Sequence, residues 1–161
     1  MKPAIVKFWI FISLYFVTGC EPAQVATEPK PGANAIFAPV KVKILPLTKF
    51  IDVRSTEGKT AIKSYVSLID SFGSQIKAPG IFRFELYEYS QRSSEPKGKR
   101  VAIWPDIDLT NPAKNNDYWR DFLRAYEFNL PFEPAGDKSY ILQTNCLCPN
   151  GKRLSAEFNL K

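Results

Sequence analysis

Alternation of apolar and polar positions marks most of this chain as strand. Val40-Lys41-Val42-Lys43-Ile44-Leu45 sets apolar residues against lysines with a period of two, the pattern of a strand with one wet face. Residues 62–69 predict a second strand. Residues 81–89 predict a third, with Phe82, Phe84 and Leu86 on one face and Arg83 and Glu85 on the other. Residues 101–109 read as a fourth, interrupted at Pro105, which cannot donate to a ladder and so belongs at an edge or a bulge. Tyr126, Phe128, Leu130 and Phe132 alternate with Glu127, Asn129 and Pro131 as a fifth.

Just before that fifth strand the period changes. Asn111-Pro112 offers an N-cap residue followed by proline at the first helical position, and Trp119, Phe122, Leu123 and Tyr126 recur at helical spacing. A short helix over 112–124 is predicted.

The last hairpin can be read to the register. A two-residue Asn150-Gly151 turn would pair Leu147 with Leu154 and set Gln143 and Asn145 beside Ala156 and Phe158, wasting the apolar face. With Pro149 and Asn150 central in a type I turn and Gly151 in the left-handed bulge position, Cys148 meets Lys152 instead. Cys146 then faces Leu154, Thr144 faces Ala156, Leu142 faces Phe158 and Tyr140 faces Leu160. The fixed φ of Pro149 favours the same answer. Pro96-Lys97-Gly98-Lys99 repeats the turn chemistry. The expected fold is all-β, an antiparallel β-sandwich of about seven strands with one short helix.

Upstream of the strands the pattern is different. Lys2 and Lys7 precede a run from Phe8 to Val17 that is apolar except for Ser13, and Thr18-Gly19 lead into Cys20. A run this short falls below the ~20 apolar residues that a membrane-spanning helix needs and suits the h-region of a signal peptide. Val17-Thr18-Gly19-Cys20 resembles the cleavage site of bacterial lipoprotein precursors, with Val17 where leucine is usual. The resemblance implies cutting between Gly19 and Cys20 and lipid on Cys20. Glu21, where an inner-membrane retention signal would have aspartate, implies the outer membrane facing the periplasm. The expected organisation is a signal at 1–19, a lipidated cysteine with a Pro-rich tether at 20–39, and one domain at 40–161. Small envelope lipoproteins that brace secretion machines are similar in size and plan, without a shared motif.

Composition narrows the chemistry. Lys2 and Lys7 supply two of the +6 formal charges, so the remainder carries a mild, dispersed +4 with no basic stripe for nucleic acid. Histidine is absent, which removes Ser-His-Asp and Cys-His nucleophile pairs and imidazole zinc sites. No cofactor is expected. The partners expected are the membrane through the lipid and another envelope protein or a glycan.

Four groups of residues are candidates for more. Cys146 and Cys148, two apart on a strand, have Cα atoms ~6.6 Å from one another and parallel side chains. They read first as small core residues, second as a strained redox pair or part of a metal site. Asp106, Asp108 and Asp117 fall at positions of a calcium-loop count, but Asn111 replaces the turn glycine. Glu85, Glu88, Asp70 and Asp121 could supply a hydrolase with a carboxylate pair. Trp104, Trp119, Tyr87, Tyr89 and Tyr118 could line a groove for sugar or peptide. The leading expectation is a membrane-anchored, non-catalytic binding or assembly module. The alternatives are a glycan- or calcium-binding sandwich and, behind it, a carboxylate hydrolase.

Overall fold

The computed structural model describes residues 37–53, 60–90, 96–136 and 138–160. Gly19, Cys20, the apolar run before them and residues 20–36 of the expected tether lie outside the described residues.

Two antiparallel sheets pack face to face, as the alternation predicts. The six-stranded sheet contains β1 (Lys41–Ile44), β2 (Lys49–Asp52), β3 (Thr60–Ile69), β4 (Gln75–Ile76), β8 (Trp119–Arg120) and β9 (Ala125–Pro131). The five-stranded sheet contains β5 (Ile81–Tyr89), β6 (Lys97–Ile103), β7 (Ile107–Asp108), β10 (Tyr140–Leu147) and β11 (Arg153–Leu160). One helix, α1 (Pro112–Tyr118), connects them.

The eleven segments exceed the seven expected because several lines of strand are broken. β1 and β2 both pair with the edge of β3 that β9 leaves free, one at each end. Leu45 and Thr48 flank the break and stay bonded to Tyr65: Leu45 N donates to the Tyr65 carbonyl, and Tyr65 N to the Thr48 hydroxyl. β6 and β7 likewise share one edge of β5, interrupted at Trp104-Pro105-Asp106. Pro105 thus splits the predicted fourth strand at an edge, where its missing donor is harmless.

The predicted helix is corrected more severely. Asn111 caps it through Oδ1, which accepts from Ala113 N and Lys114 N at 3.0 and 3.2 Å. Yet α1 ends at Tyr118, and residues 119–126 form a β-hairpin in which Trp119 pairs with Tyr126 and Arg120 with Ala125. Arg124 takes a left-handed φ of 48° that no helix continues through. The helical spacing of Trp119, Phe122 and Tyr126 arose from a turn: two of them pack and Phe122 is 82% exposed. Lys97, Gly98 and Lys99 are also not a turn but the start of β6. Gly98 faces the Glu88 carbonyl, 3.0 Å from where a Cβ would stand.

The inner faces supply the core. Ile62, Val66, Leu68, Tyr126, Phe128 and Leu130 meet Phe82, Phe84, Leu86, Tyr140 and Leu142, all essentially inaccessible to water. Phe128 is the centre, its ring 4.7 Å from that of Phe84 and 5.1 Å from that of Phe82 across the sandwich. Each buried aromatic of this kind contributes about 1.5–3 kcal/mol.

Candidate functional site

Because successive residues of a strand face opposite ways, β5 that buries Phe82, Phe84 and Leu86 must send Arg83, Glu85 and Tyr87 to the outer face. There they meet polar residues of β10 and β11. Glu85 lies opposite Gln143, and Gln143 opposite Glu157. The Tyr87 hydroxyl donates to Glu85 Oε2 at 2.6 Å, and Arg100 adds an ion pair to the same oxygen at 3.0 Å. The Tyr87 bond, with help from Arg100, holds the Glu85 carboxyl below its ordinary range, and the same bond raises the Tyr87 hydroxyl. Lys97 stands over the Tyr87 ring at 4.4 Å and bonds Gln143 and Glu157.

Next to this network, Arg83 grips Asp106 with two bonds of 2.8 Å. The hydrogen-bonded guanidinium keeps the Asp106 carboxyl low. Together with Asn145 and Arg153 the pair frames a concavity of about 330 Å³. Alternation places Arg83 on this face, but its partner comes from the β6–β7 corner, which no local pattern reveals.

The structure keeps the other candidates apart. Trp104 donates its indole N–H to the Pro131 carbonyl, whereas the Trp119 ring packs 5.0 Å from that of Tyr126. Those contacts fall at opposite ends of β9, five residues or ~17 Å from each other. Tyr118 packs on Phe128, and Tyr89 is partly exposed at the end of β5. Of the three aspartates, Asp106 is engaged with Arg83, and Asp108 Oδ1 accepts from Thr110 N and Oγ1 at 2.8 and 2.7 Å. Asp117 accepts through its carbonyl from Arg120. Among the described residues no group of three His, Cys, Asp or Glu is placed to hold a metal ion.

The candidate catalytic acids are likewise committed singly. Glu85 and Glu88, three apart on β5, face opposite sides, and Glu88 pairs with Lys138 at 2.7 Å. Asp70 is buried with Oδ1 accepting from Phe72 N and Ser74 N. Asp121 accepts from the Trp119 indole at 2.7 Å.

Cys146 and Cys148 are free and buried on the core side of β10 and its turn. Burial raises both thiols. Cys148 adds to the rise at Cys146, while the bond from Cys146 partly offsets it at Cys148. A raised, buried thiol is a poor nucleophile and a poor metal ligand.

Among the described residues no helix is long and apolar enough to cross a membrane. Comparison with protein-family models, with curated proteins and with solved structures finds no match to this chain.

Proposed function

We propose that this chain is a lipid-anchored protein of the bacterial envelope whose β-sandwich is a non-catalytic binding or assembly module. The observation that carries the reading is the run from Phe8 to Val17 ending in Thr18-Gly19-Cys20, followed by a Pro-rich stretch and then a folded domain. Lipid on Cys20 holds the domain to the membrane, on the periplasmic side of the outer membrane given Glu21. Several acyl chains make that hold firm, since each buried methylene contributes ~0.8 kcal/mol and a single chain is marginal. The four candidate acids each serve a separate structural bond, an arrangement unlike the facing carboxylate pair of a hydrolase.

Mass spectrometry of the mature chain, with detergent phase partitioning, tests the anchor. The native protein carries the added mass of diacylglyceryl on Cys20 and enters the detergent phase, and Cys20→Ser abolishes both. An unmodified Cys20, or a serine variant that still partitions with detergent, overturns the reading.

A further inference from the structure

Seven large hydrophobic side chains are exposed among the described residues, and four of them gather at one end of the six-stranded sheet. Phe37 is 63% exposed, Val40 41%, Phe72 71% and Phe122 82%. Single exposed apolar residues need no explanation, but a group of them marks a contact surface. The backbone shows why they share an end. Val40 N donates to the Ile69 carbonyl at the finish of β3, and Phe72 sits in the turn that follows. The Phe37 and Phe72 rings are 6.4 Å apart. The β8–β9 turn carrying Phe122 is tied to the same end by Arg124, whose Nη2 donates to the Gln75 carbonyl at 2.7 Å.

Both turns are built to hold their phenylalanine outside. Asp70 Oδ1 accepts from the amides on either side of Gly73, which takes a φ of 85°, and Phe72 is left facing water. In the other turn Leu123 N and Arg124 N bond back to Arg120 and Asp121, and Asp121 is held by the Trp119 indole. The acids of both turns are therefore engaged with amides and indole. Lys41, opposite Ile69, and Arg124 are exposed cations at the same end.

We propose that this end docks on the surface of a phospholipid bilayer, with Phe37, Phe72 and Phe122 entering the interface and Lys41 and Arg124 meeting anionic headgroups. The proposal deepens the anchored reading and rests on it. Sixteen residues separate Cys20 from Phe37, which packs at this end of the sheet, so a tether from a lipidated Cys20 joins the folded domain here. Tethering makes docking an intramolecular event at millimolar effective concentration, so three shallow aromatic contacts suffice.

The test uses the mature chain with Cys20→Ser, which carries no lipid, sedimented with vesicles of phosphatidylethanolamine and phosphatidylglycerol at millimolar lipid. It co-sediments, more weakly on pure phosphatidylcholine or at high salt, and adding Phe72→Ser and Phe122→Ser lowers binding about tenfold. Circular dichroism of the variant confirms an unchanged fold. Absence of vesicle binding, or equal binding by both proteins, overturns the proposal. So does concentration-dependent dimerisation that the two serines abolish while vesicles stay unbound, since the occupant is then a second copy. Vesicle binding with an unmodified native Cys20 would remove the anchor and keep the docking end; lipid on Cys20 without vesicle binding would do the reverse.

Discussion

The Tyr126 hydroxyl lies 3.1 Å from Asn115 Oδ1, deep inside the sandwich, and this contact ties the helix to the sheet. Three separate segments converge on it. The hydroxyl also accepts from Ala78 N at 2.9 Å and stands 2.7 Å from the Ala78 carbonyl, while Asn115 Nδ2 donates to the carbonyls of Ala78 and Leu109. Burial raises the Tyr126 hydroxyl, so it stays protonated as a donor. Removing the hydroxyl strips the buried Ala78 N of its acceptor, and removing the Asn115 amide strips the Ala78 and Leu109 carbonyls of a donor. Tyr126→Phe and Asn115→Ala should each destabilise by about 1–3 kcal/mol in urea unfolding, and the double variant by clearly less than their sum. Additive losses would show that the pair acts as two separate bonds.

Thr144 faces Phe84 and Ala156 in the core, and neither its hydroxyl nor that of Ser64 has a hydrogen-bond partner among the described residues. Burying such a group without a bond is unfavourable. Thr144→Val, which keeps the shape, should raise stability by about 1 kcal/mol. Equal or lower stability would mean that the hydroxyl is satisfied in solution.

Gly80 is pressed against Cys146: a Cβ added there would stand 2.8 Å from the cysteine sulfur. Gly80→Ala should cost about 1–3 kcal/mol by overpacking, and Cys146→Ala in the same molecule should restore much of it. A loss that the second change leaves untouched would place the strain in the backbone.

The thiols give a signed pH dependence. Burial holds the folded-state value of Cys146 above the ordinary 9.0. Below that value both states are protonated and the full stability is present. As the pH rises past it, the unfolded thiol ionises while the folded one does not, and stability falls. The urea midpoint should therefore fall progressively as the pH rises above about 9, less steeply in Cys146→Ala. Alkylation of either cysteine at pH 8 should require unfolding. Prompt reaction of the native protein would refute this placement.

Gly151 tests the hairpin. Its φ is 79°, with Gly151 N donating to the Cys148 carbonyl, and Cys148 N to Lys152, both at 2.9 Å. Nothing lies near a Cβ there, so Gly151→Ala should cost about 1 kcal/mol from conformation alone. No loss would argue for a different turn in solution.

That hairpin was legible because its constraints are local. Pro149 fixes one φ, Gly151 permits a positive one, and the alternation in each strand accepts a single register. Tyr140 pairs with Leu160, Leu142 with Phe158, Thr144 with Ala156 and Cys146 with Leu154, as expected. The inner face of β5 was legible for the same reason. The candidate site was much less so. Arg83 meets Asp106, Tyr87 meets Lys97 and Glu88 meets Lys138 through strand neighbours or corners that no sequence spacing encodes.

The chain around residue 120 divides the two kinds of information. Apolar residues at 119, 122, 123 and 126 fit one face of a helix, and they fit a tight turn between two strands equally well. The sequence determined where apolar side chains alternate, where glycine and proline turn the backbone, and hence two antiparallel layers. Tertiary structure alone decided that Trp119 pairs with Tyr126, that Arg124 reaches Gln75, and that Phe72 and Phe122 stand in water. The physical reason is range: backbone sterics and side-chain period act over a few residues, whereas burial depends on which distant strand arrives on top.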